Sequence, residues 1–429
     1  MGGLVAASSE PSASPALRPG HAIELLKGGE ALFAALVQTI DAARAEVLLE
    51  SYIFEFAGAP LQVAEALERA ATRSVRVRVV VDGIGTGDVP AEWQARWKAA
   101  GVQWRVYNPA RGWRVLMPRR WRRLHRKLAV VDGRVVFCGG INLLDDYRDP
   151  THGKLDEPRF DFAVRVTGPL VADAHETMTR LWLRLQATRE ARHFDFAHAL
   201  ATVRAASRAG TDMHDPHIAA KNLDANAALA ERDEVGLLAG LVLRDNLRFR
   251  KRIEHFYRYA IGQAQREIII ANAYFVPGVA LQRALLKAAE RGVKVTLLLQ
   301  GKYEYFMQHH TSRAMYGVLL AAGIEIIEYE PSFLHAKVAV FDGPQGAIAT
   351  VGSSNLDPIS LLLAREANVF VRDDAFAAEL RSHLLEAVQT TGARIDSSAH
   401  MKRPFTVRSL AWLAYGLMRV ALFATRHRY

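Results

Sequence analysis

The chain is 429 residues long, enough for two or three domains or for one duplicated domain around a large core. Half of its residues are hydrophobic and 23% are charged, which excludes a disordered chain, while a formal charge of +10 points to an anionic partner: nucleic acid, an anionic membrane surface or a phosphorylated substrate. The single cysteine, Cys138, excludes an intrachain disulfide and a cysteine-based metal cluster; it ends the apolar run Val135-Val136-Phe137 and reads as a core residue.

Residues 1–20 are rich in Ala, Ser, Pro and Gly, with neither a charged start nor a long apolar core, and read as a disordered leader. Residues 46–54 read as a buried strand, residues 60–72 as a helix and residues 75–81 as a second strand ending at Asp82-Gly83. A helix over 90–100 closes at Gly101, and a third strand covers 102–107. A later strand covers 162–166, and Pro169 opens a helix to about residue 188. Alternating strands and helices predict an α/β fold with a largely parallel sheet. Residues 191–233 lose strand signals and read as a linker; its histidines (His193, His198, His214, His217) lack metal-ligand spacing.

Residues 234–390 then repeat residues 21–190. Glu267 to Phe275 mirrors Glu46 to Phe54, Arg291 to Leu299 mirrors Arg73 to Val81, and Ala322 to Pro331 mirrors Ala100 to Pro109. Each series leads into the same motif. The first copy is Leu124-His125-Arg126-Lys127-Leu128-Ala129-Val130-Val131-Asp132-Gly133, and the second is Leu334-His335-Ala336-Lys337-Val338-Ala339-Val340-Phe341-Asp342-Gly343. Two copies of H-x-K-x4-D, each followed by a small-residue stretch ending in Asn, imply two halves around a pseudo-two-fold axis, each giving one His and one Lys to a single site. On a strand, His and Lys two apart point to one face.

Two imidazoles and two ammonium groups suit phosphoryl transfer. A neutral imidazole is a competent nucleophile near neutrality, a protonated one can give a proton to a leaving alkoxide, and lysines can hold non-bridging phosphate oxygens. Asn142 and Asn355, in Gly139-Gly140-Ile141-Asn142 and Gly352-Ser353-Ser354-Asn355, are expected with Ser353 at the phosphate. Asp161 and Glu366 start matching strands, one in each half, and are the candidate acceptors that orient the histidines, with Glu366 expected at the imidazole of its own half, His335. Asp132 and Asp342 are grouped with the catalytic residues as motif members, yet each ends its strand before Gly, and a structural turn is the role expected of them. No metal-binding motif is present, and no cofactor is expected.

With its paired motifs, the chain resembles the phospholipase D superfamily. Within it, residues 270–278 (Ile-Ala-Asn-Ala-Tyr-Phe-Val-Pro-Gly) and 351–358 (Val-Gly-Ser-Ser-Asn-Leu-Asp-Pro) most resemble bacterial cardiolipin synthases of the B type. The likeness covers roughly residues 20 to 390. It implies duplicated phospholipase D-like domains, each a mixed, mostly parallel sheet flanked by helices. It also implies a phosphohistidine route in which phosphatidylglycerol loses glycerol and a second lipid hydroxyl gives cardiolipin. By the same likeness His125 is the expected nucleophile and His335 the acid/base, with phosphatidylethanolamine a possible further donor. Hydrolysis by water, and more remotely a nucleic-acid phosphodiesterase, remain alternatives that side-chain types do not separate.

Two segments suit an anionic bilayer rather than nucleic acid. Residues 111–123 carry Trp113, Arg119, Arg120, Trp121, Arg122 and Arg123 beside the first motif. The tail, residues 391–429, includes an apolar run around Trp412 that is short for a span and reads as an interfacial helix. The expectation is a peripheral protein on the cytoplasmic side of a bacterial inner membrane, of undetermined oligomeric state.

Overall fold

The computed structural model describes residues 17–109, 122–149, 152–192, 201–202, 236–245, 251–303, 306–357, 364–391 and 394–396. The first half runs β1 (Arg18–Lys27), α1 (Gly28–Asp41), β2 (Glu46–Ser51), α2 (Leu61–Thr72), β3 (Arg76–Asp82), α3 (Ala91–Ala100) and β4 (Gln103–Tyr107). It continues with β5 (Arg123–Leu124), β6 (Leu128–Val131), β7 (Val135–Gly139), the short hairpin β8 (Arg148–Asp149) and β9 (Gly153–Lys154), β10 (Phe162–Thr167) and α4 (Leu170–Arg192). The second half runs β11 (Leu237–Arg244), α5 (Arg252–Gln263), β12 (Glu267–Asn272), α6 (Val279–Glu290), β13 (Lys294–Gln300), α7 (Phe306–Ala314), α8 (Tyr316–Ala321) and β14 (Glu325–Tyr329). It ends with β15 (Lys337–Phe341), β16 (Ile348–Gly352), β17 (Ala364–Arg372) and α9 (Asp374–Thr391).

Local signals explain the boundaries. α2 buries Val63, Ala66, Leu67 and Ala70, a helical spacing. α3 buries Trp93 and Trp97, one turn apart, and stops at Gly101, whose φ of 92° gives the left-handed cap that glycine adopts without strain. Each sheet alternates. On β6, Leu128 and Val130 face one core and Ala129 and Val131 another; on β15, Val338 and Val340 oppose Ala339 and Phe341 in the same way.

The strand order β14-β13-β12-β15-β16-β17-β11-β1-β10-β7-β6-β2-β3-β4 is palindromic about the β11–β1 junction. In each half only the outer three strands pair in parallel, β2-β3-β4 and β12-β13-β14; the others pair antiparallel. The sheets are therefore mixed, with parallel pairing within each half confined to the helix-linked crossovers, and the short β5 pairs in parallel with β17 of the other half. β1 joins the halves through Arg18↔Ala239 and His21↔Leu237, so Arg18 to Gly20, read from sequence as leader, are strand. The buried His21 pins this joint: its Nδ1 donates to the Leu237 carbonyl, and its Nε2 accepts the Leu170 N–H at the start of α4. Burial lowers its pKa, which keeps the ring neutral.

One core contains the inward faces of both sheets. Leu48, Val130, Val136 and Val164 of the first meet Ile269, Val338, Val351 and Val369 of the second, with α4 and α9 closing the layer. The outer faces carry separate cores under α1–α3 and under α5, α6 and α8. Cys138 belongs to the shared core, and burial raises its thiol pKa to about 12.

Because that core belongs to both halves, they should unfold together. Ile269→Ala, at a fully buried position, is expected to destabilise the protein by about 3 kcal/mol. Calorimetry should show one earlier transition, whereas an early melt of the second half alone would contradict a shared core.

Candidate active site

The two motif histidines sit just ahead of their strands: β6 starts at Leu128 and β15 at Lys337. They are not strand residues, so strand alternation does not set their direction. A crossed backbone register does. Leu124 pairs with Arg365, and the His125 N–H donates to the Arg365 carbonyl. Leu334 pairs with Phe160, and the His335 N–H donates to the Phe160 carbonyl. In both cases the next residue on the facing segment is a carboxylate.

Each histidine is consequently bonded to the carboxylate of the other half, which corrects the expectation that Glu366 serves His335 of its own half. His125 Nδ1 lies 3.0 and 3.1 Å from the two oxygens of Glu366, and His335 Nδ1 lies 2.6 Å from Asp161 Oδ2. Asp161 and Glu366 are 3% and 0% exposed, so each acid is out of water and committed to its ring. An imidazole held this way by Nδ1 keeps Nε2 for chemistry. Lys127 Nζ donates to the His125 carbonyl at 2.9 Å, and Lys337 Nζ donates to the His335 carbonyl. Both lysines are buried.

Burial dominates the electrostatics. It lowers the pKa of Lys127 to about 7, helped by Lys337 and opposed by Glu366. It raises the Asp161 carboxyl to about 7, against Lys337, the Phe162 N–H and Lys127. Glu366 is also pushed up by burial, but His125, Lys127 and Arg244 more than offset this and hold it below the ordinary range. Both imidazoles are lowered by burial, His335 further, because Lys337, Lys127, His125 and Arg159 add positive charge around it.

Asn142 and Asn355 follow β7 and β16 at the same end of the sheets. Asn142 Oδ1 accepts the Ile53 N–H, whereas the buried Asn355 Oδ1 has no hydrogen-bond partner among the described residues. Ser353, expected at the phosphate, is turned away from that role: its Oγ donates to Glu366 Oε2 at 2.5 Å. Tyr52 escaped the sequence reading. Its ring packs on His125 at 4.9 Å between centroids and lies 5.4 Å from Lys127 Nζ. The duplication hides it, since the matching position is Ala273.

Asp132 and Asp342 are not brought to the site. They lie at the far ends of β6 and β15, about 20 Å along the chain from the histidines. Asp132 accepts the N–H groups of Arg44, Ala45 and Glu46 at 2.7–2.9 Å. Asp342 accepts those of Gln265, Arg266 and Glu267 at 2.9–3.2 Å. Grouping them with the catalytic residues is thus corrected: each carboxylate ties the turn before β2 or β12. Arg123 is corrected too. Rather than facing a membrane, it pairs at 3.2 Å with Asp82, whose other oxygen takes the Leu124 N–H. Arg122 is half-buried, its carbonyl accepting from Asn108. Trp113, Arg119, Arg120, Trp121 and Trp412 lie outside the described residues, as does most of the tail and linker. Among the described residues no group of three or more His, Cys, Asp or Glu is placed to hold a metal ion.

Duplicated mixed sheets meeting at paired His-x-Lys segments define the phospholipase D class of fold and site. The family model for the cardiolipin synthase PLD-like domain matches residues 36–149 and 257–387. The chain is 34% identical to cardiolipin synthase B of Shigella flexneri over 402 residues, 94% of this chain and 89% of the relative. It is 29% identical to cardiolipin synthase A of Pseudomonas fluorescens over 85% of this chain and 68% of that one. In fold it is similar to phosphatidylserine synthase of Haemophilus influenzae, with a TM-score of 0.62, 12% identity and 94% of each chain covered. The chain belongs to the cardiolipin synthase family of PLD-like proteins.

Asp342→Ala and Asp132→Ala should each lower stability by about 2–3 kcal/mol, the range for charged hydrogen bonds left without their acceptor. Chemical denaturation checks this. A variant as stable as the parent would contradict the turn-tying role.

Proposed function

We propose that the protein transfers a phosphatidyl group from one phosphatidylglycerol to the hydroxyl of a second, releasing glycerol and forming cardiolipin. The reading rests on the two imidazoles, each held through Nδ1 by a buried carboxylate of the opposite half, in a chain one-third identical to cardiolipin synthase B. One imidazole Nε2 attacks phosphorus, and the N–P bond forms as the bond to the glycerol oxygen breaks. The other, protonated, gives its Nε2 proton to that oxygen. The acceptor's hydroxyl then loses its proton to the now neutral second imidazole and displaces the first, restoring both rings. Lys127 and Lys337 hold the non-bridging oxygens as charge builds on them, and Asn142 and Asn355 offer amides to the same phosphate.

The net charge of +10 and the basic, Trp-bearing sequence of residues 111–121 support docking on an anionic bilayer. No helix among the described residues is long and apolar enough to cross a membrane. We assign the enzyme to the cytoplasmic face of a bacterial inner membrane, approached from the side.

Purified protein given phosphatidylglycerol in mixed micelles should yield cardiolipin and glycerol by lipid mass spectrometry. Phosphatidic acid as the sole product would replace transfer by hydrolysis. His335→Ala and Lys337→Ala should each reduce product at least about a hundredfold.

The rate should be bell-shaped in pH. As pH falls through about 7, Asp161 takes a proton and no longer accepts the His335 Nδ1–H; as pH rises through about 7, Lys127 loses its charge. A rate that is flat from about pH 5 to about pH 9 would contradict both assignments.

A further inference from the structure

The halves differ in how they fix the residue between the motif His and Lys. In the second half that residue is Ala336. Its N–H donates to the Phe160 carbonyl, its carbonyl accepts the Ala273 N–H, and the β12–β15 ladder reaches Lys337 through the pair Asn272↔Lys337. Backbone bonds alone pin this peptide. In the first half the residue is Arg126. The β2–β6 pairing ends one residue earlier, at Glu50↔Leu128, and among the described residues the Arg126 backbone makes neither of the bonds that Ala336 makes. A side-chain contact stands there instead: Arg126 Nη2 lies 2.8 Å from Glu50 Oε2, and both residues are 2% exposed. The second-half positions that match Glu50 and Arg126 are Ala271 and Ala336.

The surroundings follow the same division. Arg365, whose carbonyl takes the His125 N–H, pairs at 3.2 Å with Asp245 and lies 5.8 Å from the ring centroid of Tyr107. Its charge also reaches Glu50: burial pushes that carboxyl up, and Arg126 and then Arg365 oppose this. Phe160, whose carbonyl takes the His335 N–H, packs instead on Tyr329 at 5.2 Å between centroids. The same backbone arrangement is thus supported by charges in one half and by apolar contacts in the other. A buried ion pair carries a desolvation cost that apolar residues avoid. Ala271 and Ala336 show that the fold does not require a pair at this place. We propose that the Glu50–Arg126 ion pair is a positioning device for the first motif: it holds the peptide between His125 and Lys127, standing in for the backbone bonds that hold Ala336. On the transfer reading above, Glu50 and Arg126 touch no substrate and act through His125 Nε2 and Lys127 Nζ.

Arg126→Ala alone strands the Glu50 charge in the core and should destabilise the protein. The informative variant is the double, Glu50→Ala with Arg126→Ala, which copies Ala271 and Ala336 and leaves no unpaired charge. It should melt near the parent, keep KM for phosphatidylglycerol within about twofold and lower kcat by about tenfold to a hundredfold. The rate followed is consumption of phosphatidylglycerol, whichever product forms. A wild type that makes only phosphatidic acid would therefore defeat the transfer reading and leave this test readable. In the resting enzyme, the far-downfield proton that His125 Nδ1 shares with Glu366 should broaden or vanish in the double variant, while that of His335 stays. Parental kcat, an unchanged His125 signal, or loss of both histidine signals together would each overturn the positioning role. So would a double variant that does not fold, since the pair would then belong to the general support of the fold.

Discussion

The structure depends on an exchange: each half holds the other half's histidine. The hydrogen bonds from His125 to Glu366 and from His335 to Asp161 both cross the interface, and each is set by a short backbone pairing immediately before it. A half alone would present an imidazole without its acceptor and a buried carboxylate without its donor. The second defect is severe, because an unpaired buried acid either takes up a proton or pays a large desolvation penalty. The apolar core between the sheets and the polar site at its end therefore enforce the same arrangement. The core brings the faces together, and the dyads fix the register in which they meet.

The same burial that makes the dyads obligatory also tunes them. Lys127 and Asp161 are moved toward neutrality from opposite directions because both are removed from water, and their charges then matter to each other and to both imidazoles. Tyr52 helps exclude water by lying over His125 and near Lys127. On the proposed reaction, a phosphate entering this site meets lysines already fixed in place, so little reorganisation accompanies the build-up of charge.

Much of this was legible in the sequence, for a physical reason. Duplication is visible as repeated apolar runs and repeated H-x-K spacing, and strand–helix alternation places the motifs at equivalent points of equivalent sheets. Asp161 and Glu366 were found because both open the strand after the small-residue stretch. Their crossing was not, because pairing between halves is long-range and leaves no local mark on either strand. Ser353 was misread for a related reason: a small residue beside a phosphate and one beside a carboxylate have the same local pattern. Arg18 to Gly20 read as leader in the sequence because they carry no apolar alternation, and their order comes from β11, more than 200 residues later. Asp132 and Asp342 share the motif with the His-Lys pair because they tie the far ends of β6 and β15 to the turns before β2 and β12.

The crossed pairing is most directly tested by a histidine-selective nitrogen-15 spectrum of the full chain. Nδ1-bound protons shared with buried carboxylates resonate far downfield, and the account predicts one from His125 and one from His335, each assigned by its own His→Gln variant and so told apart from that of His152, whose Nδ1 lies 3.0 Å from Asp149. Glu366→Gln should remove or shift strongly the His125 signal, in the opposite half, while the His335 signal remains. Loss of the His335 signal with retention of that of His125 would mean that each half orients its own histidine, and would contradict the account.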